Sequence, residues 1–139
     1  MNKKALYFIG AVIALSGCSY KNEYSGVDKS HCDTIYNEFK TSFDSADVCI
    51  DENLSKLYNT GTNQELLEVI YYKCKKDLNT SNKAYLHSIY CKMAQDNNES
   101  YFTINESISE KTEYEYLNRI EQDTKLEILE KIMKYRSEK

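Results

Sequence analysis

The chain has 139 residues, a formal charge of −4 at neutral pH, no proline and four glycines. The acidic balance argues against nucleic-acid binding and against a polybasic grip on anionic lipid headgroups. So few turn-forming residues exclude the closely spaced reversals of an all-β sandwich or barrel, so an all-α fold of a single domain is expected.

The first segment is a targeting signal. Lys3 and Lys4 precede an uncharged apolar stretch from Ala5 to Leu15, which runs directly into Leu15-Ser16-Gly17-Cys18. A helix needs about 20 apolar residues to cross a bilayer, so this run is too short to span and has the form of a signal-peptide core. The segment resembles the start of a bacterial lipoprotein precursor, in which Leu-Ser-Gly-Cys is the lipobox. The resemblance implies a signal peptide over residues 1–17, cleavage after Gly17 and acylation of Cys18. That covalent lipid is the only non-protein group expected; no cofactor is indicated. Each buried methylene contributes about 0.8 kcal/mol, so two or three acyl chains hold firmly where one does not. In Gram-negative members of the class, serine rather than aspartate after the cysteine, here Ser19, implies the outer membrane. Losing Lys3 and Lys4 with the signal peptide moves the formal charge to −6. Residues 18–29 are polar and aperiodic and read as a flexible tether.

Residues 30–97 are expected to form a four-helix core. Cys32, Ile35, Tyr36, Phe39 and Phe43 recur at helical spacing until Asp44-Ser45 interrupts them. Ile50, Leu54, Leu57 and Tyr58 mark a second helix, stopped near Asn59-Thr60-Gly61, where Gly61 suits a left-handed cap. Thr62 to Glu65 has the form of a capping box, and Leu66, Leu67, Ile70, Tyr71, Cys74 and Leu78 follow on one face. A turn at Asn79–Asn82 then leads to a fourth stripe of Leu86, Ile89, Tyr90 and Met93. Residues 98–139 read as a linker and a C-terminal helix, packed on the core or projecting from it. Within them Tyr101–Ile104 suits a short strand or a packed loop. Thr124 and Glu127 leave open a second capping box, and so either one long helix or two.

With Cys18 assigned to lipid, four cysteines remain, and an even number in an exported protein implies two disulfides with three possible connectivities. In an up-down-up-down bundle Cys49 lies 12 residues before Gly61 and Cys74 lies 13 after it, so the two sit at nearly the same height. Cys32 opens the first helix and Cys91 approaches the end of the fourth, both at the opposite end. The nested pairing of Cys32 with Cys91 and Cys49 with Cys74 therefore fits, and its equal intervals of 17 residues are what bridges across an α-hairpin also require. A sequential pairing would offset Cys74 and Cys91 beyond the usual Cα separation below about 7 Å.

Catalytic and metal chemistry find little support. The cysteines contain no Cys-x-x-Cys pair, so zinc is not expected. His31-Cys32-Asp33 places a histidine beside a cysteine, but neighbours on a helix point in different directions. His87 reads as a surface or boundary residue. No serine sits in a nucleophile elbow, and no glycine-rich loop is present to cradle a phosphate. An enzyme is not expected, nor a small-molecule substrate.

Tyrosine is the remaining anomaly. Tyr36, Tyr58 and Tyr71 fall on core stripes, whereas Tyr72, Tyr85, Tyr114 and Tyr116 lie beside them and form a candidate interaction surface, since tyrosine offers rigid contact area at low entropic cost. The expectation is a lipid-anchored, non-enzymatic binding module or assembly adaptor, facing the periplasm and engaging an envelope protein. In size and layout it is similar to the pilotins of secretion systems. The alternative is an immunity, exclusion or inhibitor lipoprotein that blocks a toxin, phage or plasmid. An apolar groove would favour the first, and an acidic, tyrosine-rich face the second. A concave pocket gathering His31 or His87 with carboxylates would favour an enzyme.

Overall fold

A computed structural model describes residues 23–139. The lipobox, Cys18 and residues 19–22 of the expected tether lie outside the described residues. Every element within them is a helix: α1 (Gly26–Leu57), α2 (Asn63–Lys73), α3 (Lys75–Asn97), α4 (Tyr101–Ser107) and α5 (Glu110–Ser137).

α1 is a single helix of 32 residues, about 48 Å long at 1.5 Å per residue. It passes through Asp44-Ser45 without a break, so the first two expected helices are one. It also starts earlier than expected. Ser25 caps it through a capping box with Asp28, so the end of the stretch read as tether is ordered. α2 opens at the capping box of Thr62 and Glu65, as read from sequence. Gly61 before it has φ +60°, a backbone region that favours glycine, and a Cβ there would lie 2.9 Å from Glu65 Oε2, so the capping carboxylate would have to shift.

The turn expected at Asn79–Asn82 does not occur. The chain bends instead at Cys74, with φ −96° and ψ 7°, and α3 continues to Asn97 before Asn98 ends it at φ 55°. The core of residues 30–97 thus holds three helices where four were expected. Tyr101–Ile104 belongs to the short helix α4, neither a strand nor a loop. α5 is one helix of 28 residues. Thr124 does not restart it; its hydroxyl donates to the Ile120 carbonyl at 2.8 Å.

Both continuous helices follow from a heptad seam written partly in small polar residues. On α1, Asp28, Cys32, Ile35, Phe39, Ser42, Ala46, Cys49 and Asn53 step by four and three, and all are buried or half-buried. On α3 and its leading bend, Cys74, Asp77, Ser81, Ala84, Ser88 and Cys91 do the same. An interval of 17 residues is two heptads plus a three-residue step, which keeps both cysteines of a helix on one seam. The helices run antiparallel and are bridged at both ends. Cys32–Cys91 has a Cα separation of 5.6 Å and Cys49–Cys74 one of 5.8 Å. The nested pairing is therefore present, across a two-armed hairpin rather than the four-helix bundle that suggested it.

The core divides into two clusters, one at each bridge. Leu54, Leu66, Ile70, Leu78, Ile128 and Ile132 gather near Cys74. Leu86, Tyr90, Ala94, Tyr101 and Ile104 gather near Cys32 and Cys91. α5 lies along the hairpin and contributes to both, so the C-terminal helix packs on the core and does not project. Between the clusters the interior is polar: Ser81 and Asn82 are buried there, and the Asn82 side-chain amide lies 3.1 Å from the Thr124 hydroxyl.

Candidate functional site

The polar waist opens to solvent where α1, α3 and α5 meet. Phe39 and Phe43, one turn apart on α1, have ring centroids 5.9 Å apart, and Tyr85 of α3 packs on Phe39 at 5.2 Å. These rings line a cavity of about 260 Å³ together with Ser81, Asn82, Ile120, Asp123, Thr124 and Glu127. The rings stay partly exposed because the residues that would pack beneath them are serine and asparagine, too small and too polar to draw the aromatics into a core. No lysine or arginine lines this cavity. Lys131 lines an adjoining cavity of about 90 Å³ that shares Phe43, Asn82 and Glu127 with it. Lys131 is already held by Asp47 at 2.6 Å and Asp51 at 2.7 Å. Burial pulls its ammonium down, and hydrogen bonds and charge from the two carboxylates outweigh that and raise it. Asp123 and Glu127 form no ion pair among the described residues.

The four tyrosines expected to form one surface do not converge. Tyr85 belongs to the aromatic cavity, whereas Tyr114 lines another with Asn79, Lys83 and Leu117 on a different flank of α5. Tyr72 is 79% exposed on α2, and Tyr116 stands in neither cavity. Sequence reading placed Phe39 and Phe43 in the core stripe and so missed them as surface residues. Phe43 is 48% exposed.

A broader, open groove of about 870 Å³ follows the other side of the hairpin, lined by Thr34, Asn37, Thr41, Ser42, Ser45, Thr80 and Ala84, with Glu38, Asp77, Lys76, Lys83 and His87 at its walls. Its lining residues are polar or charged apart from Ala84, and although much of the surface they expose is carbon, they do not form the continuous row of large apolar side chains that a partner's amphipathic helix would need. His87 does share it with two carboxylates. Its Nδ1, however, lies 2.8 Å from the Tyr101 hydroxyl, and neither Glu38 nor Asp77 bonds to the imidazole. Asp77 instead accepts from Ser45 Oγ at 3.4 Å, a weak contact. His31 stacks on Tyr101 and Phe102 with ring centroids at 4.7 and 5.1 Å. Both histidines therefore serve as packing partners of Tyr101. Among the described residues no group of three or more histidine, cysteine or acidic side chains is placed to hold a metal ion. Nor is any described helix long and apolar enough to cross a membrane.

A buried and fully hydrogen-bonded carboxylate lies elsewhere. The buried Asp28 carboxylate accepts from Ser25 Oγ at 2.6 Å, Ser25 N–H at 3.0 Å, Ser100 Oγ at 2.8 Å and Tyr101 N–H at 2.9 Å. Burial pushes its pKa up, but the hydrogen bonds from Ser25, Ser100 and Tyr101 together hold it at about 2. It joins the N-termini of α1 and α4, where an anion is favoured by both helix ends.

No known protein family, curated protein or solved structure matches the chain.

Proposed function

We propose that the chain is a lipid-anchored, non-enzymatic protein-binding module of the bacterial cell envelope, held through Cys18 in the outer membrane and facing the periplasm. The observation that carries this reading is the solvent-open aromatic cavity at the waist, set in a hairpin bridged covalently at both ends. Partly exposed aromatics on a rigid frame bind partners at low entropic cost, because little has to be ordered on association. The lipobox supplies the anchor.

The adaptor role resembling that of pilotins is the first reading. The second, a protective lipoprotein against a toxin, phage or plasmid, is favoured by the aromatic cavity, whose flanking carboxylates form no ion pair among the described residues and suit a basic target.

Crosslinking capture from native membranes, with the full lipidated chain as bait, tests the proposal. Recovery of a resident secretion or envelope protein is expected for the adaptor. Recovery only after challenge with a foreign toxin, phage or conjugative donor is expected for the protective factor. Absence of any captured protein under both conditions would overturn the binding-module reading, and retention of full membrane attachment by Cys18→Ser would overturn the anchor.

A further inference from the structure

We infer that the waist cavity receives the side chain of an arginine presented by a protein partner. This inference rests on the protein-binding reading and deepens it. At about 260 Å³ the cavity falls below the roughly 300–1,000 Å³ of small-molecule pockets, which suits a single inserted side chain. Its walls combine two chemistries. Phe39, Phe43 and Tyr85 offer aromatic surface, and Asp123 and Glu127 offer carboxylates that no described cation neutralises. A planar guanidinium satisfies both at once, stacking face-on on a ring while donating through its edge, whereas an ammonium has no flat face to stack and an aliphatic side chain has no donor.

A third observation points to the backbone that would carry this arginine. Asn82 lines the cavity and is only 8% exposed. One end of its side-chain amide meets the Thr124 hydroxyl at 3.1 Å, while the other makes no hydrogen bond among the described residues. Unlike the Tyr90 hydroxyl, that open end is not sealed from solvent. It is a hydrogen-bonding group left open at the cavity, and the backbone of the incoming segment satisfies it. The formal charge of −6 after the signal peptide favours a basic partner in the same sense.

The test uses the full chain, isotopically labelled in detergent micelles, titrated with the peptide acetyl-Gly-Arg-Gly-amide and with its citrulline isostere, which keeps the shape and loses the charge. Saturable amide shifts centred on Phe43, Asn82, Tyr85 and Glu127 are expected, with a dissociation constant on the order of 1 mM. Citrulline is expected to bind roughly tenfold more weakly, as is arginine to the Asp123→Asn, Glu127→Gln double variant, since each change removes the charge attraction between guanidinium and carboxylates. Both acidic positions are exposed, so the variant's circular dichroism and melting should match the parent. Equal binding of citrulline, unchanged binding by the folded variant, or shifts confined to other surfaces would each overturn the inference. Membrane capture repeated with the double variant separates the two readings. A partner retained equally by parent and variant would sink the arginine site and leave the binding module standing. Arginine binding with no partner captured would do the reverse.

Discussion

Arg136 Nε donates to the carbonyl of Tyr58 at 2.7 Å, tying the last turn of α5 to the end of α1. The rest of the guanidinium reaches Asn63 Oδ1 and the Thr60 carbonyl at 2.7 Å and the Gly61 carbonyl at 3.1 Å. One planar cation thus satisfies carbonyls left over where α1 stops, and places positive charge at the negative end of that helix. Arg136→Ala is expected to lose about 1–3 kcal/mol of stability in urea unfolding. Arg136→Lys should recover less than half of the loss, because an ammonium cannot span four acceptors in a fork. Full recovery by lysine would show that charge alone matters.

Asp28 makes the corresponding tie at the other end of the hairpin. Its pKa is held at about 2, below the value near 3.9 of an unfolded aspartate. The folded state therefore binds the proton less readily, and the stability this group contributes is present above about pH 4 and is lost as pH falls towards 2. Linkage puts the contribution on the order of 2 kcal/mol. Asp28→Asn should flatten the acid limb of a melting-temperature profile over that interval. An unchanged slope between pH 4 and pH 2 would refute the assignment.

Tyr90 is fully buried, and its hydroxyl has no hydrogen-bond partner among the described residues. Burial first, and then the charge of Glu113, pushes its pKa up to about 12, so the phenol is neutral throughout the physiological range. Tyr90→Phe removes an unsatisfied polar atom and little volume. It is expected to leave the protein as stable or to raise stability by up to about 1 kcal/mol, in contrast to the loss typical of core substitutions. A loss above 1 kcal/mol by calorimetry would mean that the hydroxyl is satisfied in solution.

The two bridges close loops of different length. Sequence separations of 25 for Cys49–Cys74 and 59 for Cys32–Cys91 correspond to about 3.5 and about 4.2 kcal/mol in the chain-entropy model. Paired serine substitutions should show the outer bridge contributing more. The two losses should not add, since the inner bridge shortens the loop that the outer one closes. Equal melting temperatures for the two paired variants would argue that local packing, not loop closure, sets the effect.

What the sequence disclosed depended on whether a helix face was apolar. Thr62–Glu65 and Gly61 were legible because cap chemistry is local and needs no partner. α1 was read as broken at Asp44-Ser45, and α3 as starting after Asn79–Asn82, because the apolar stripe lapses there. The structure shows why it lapses: Ser42, Ala46, Ser81 and Ala84 form the middle of the α1–α3 seam. Serine and asparagine in a row read as a turn when each is judged alone, and tertiary packing overrides that preference. The cysteine pairing survived the misplaced helices because equal intervals constrain any antiparallel arrangement. The aromatic cavity was not legible, since Phe39 and Phe43 share the helical phase of core residues and only the small side chains opposite leave them open.

The Cys32–Cys91 bridge also decides how the molecule carries a mechanical load. A pull applied between the N-terminal side and a point beyond Cys91 passes through the sulfur–sulfur bond. Residues 33–90, and the hairpin they build, are bypassed by the tension. Only the segments before Cys32 and after Cys91 can pay out under force, so the first turns of α1 together with α4 and α5 would act as the yielding parts of the protein while the bridged hairpin keeps its shape.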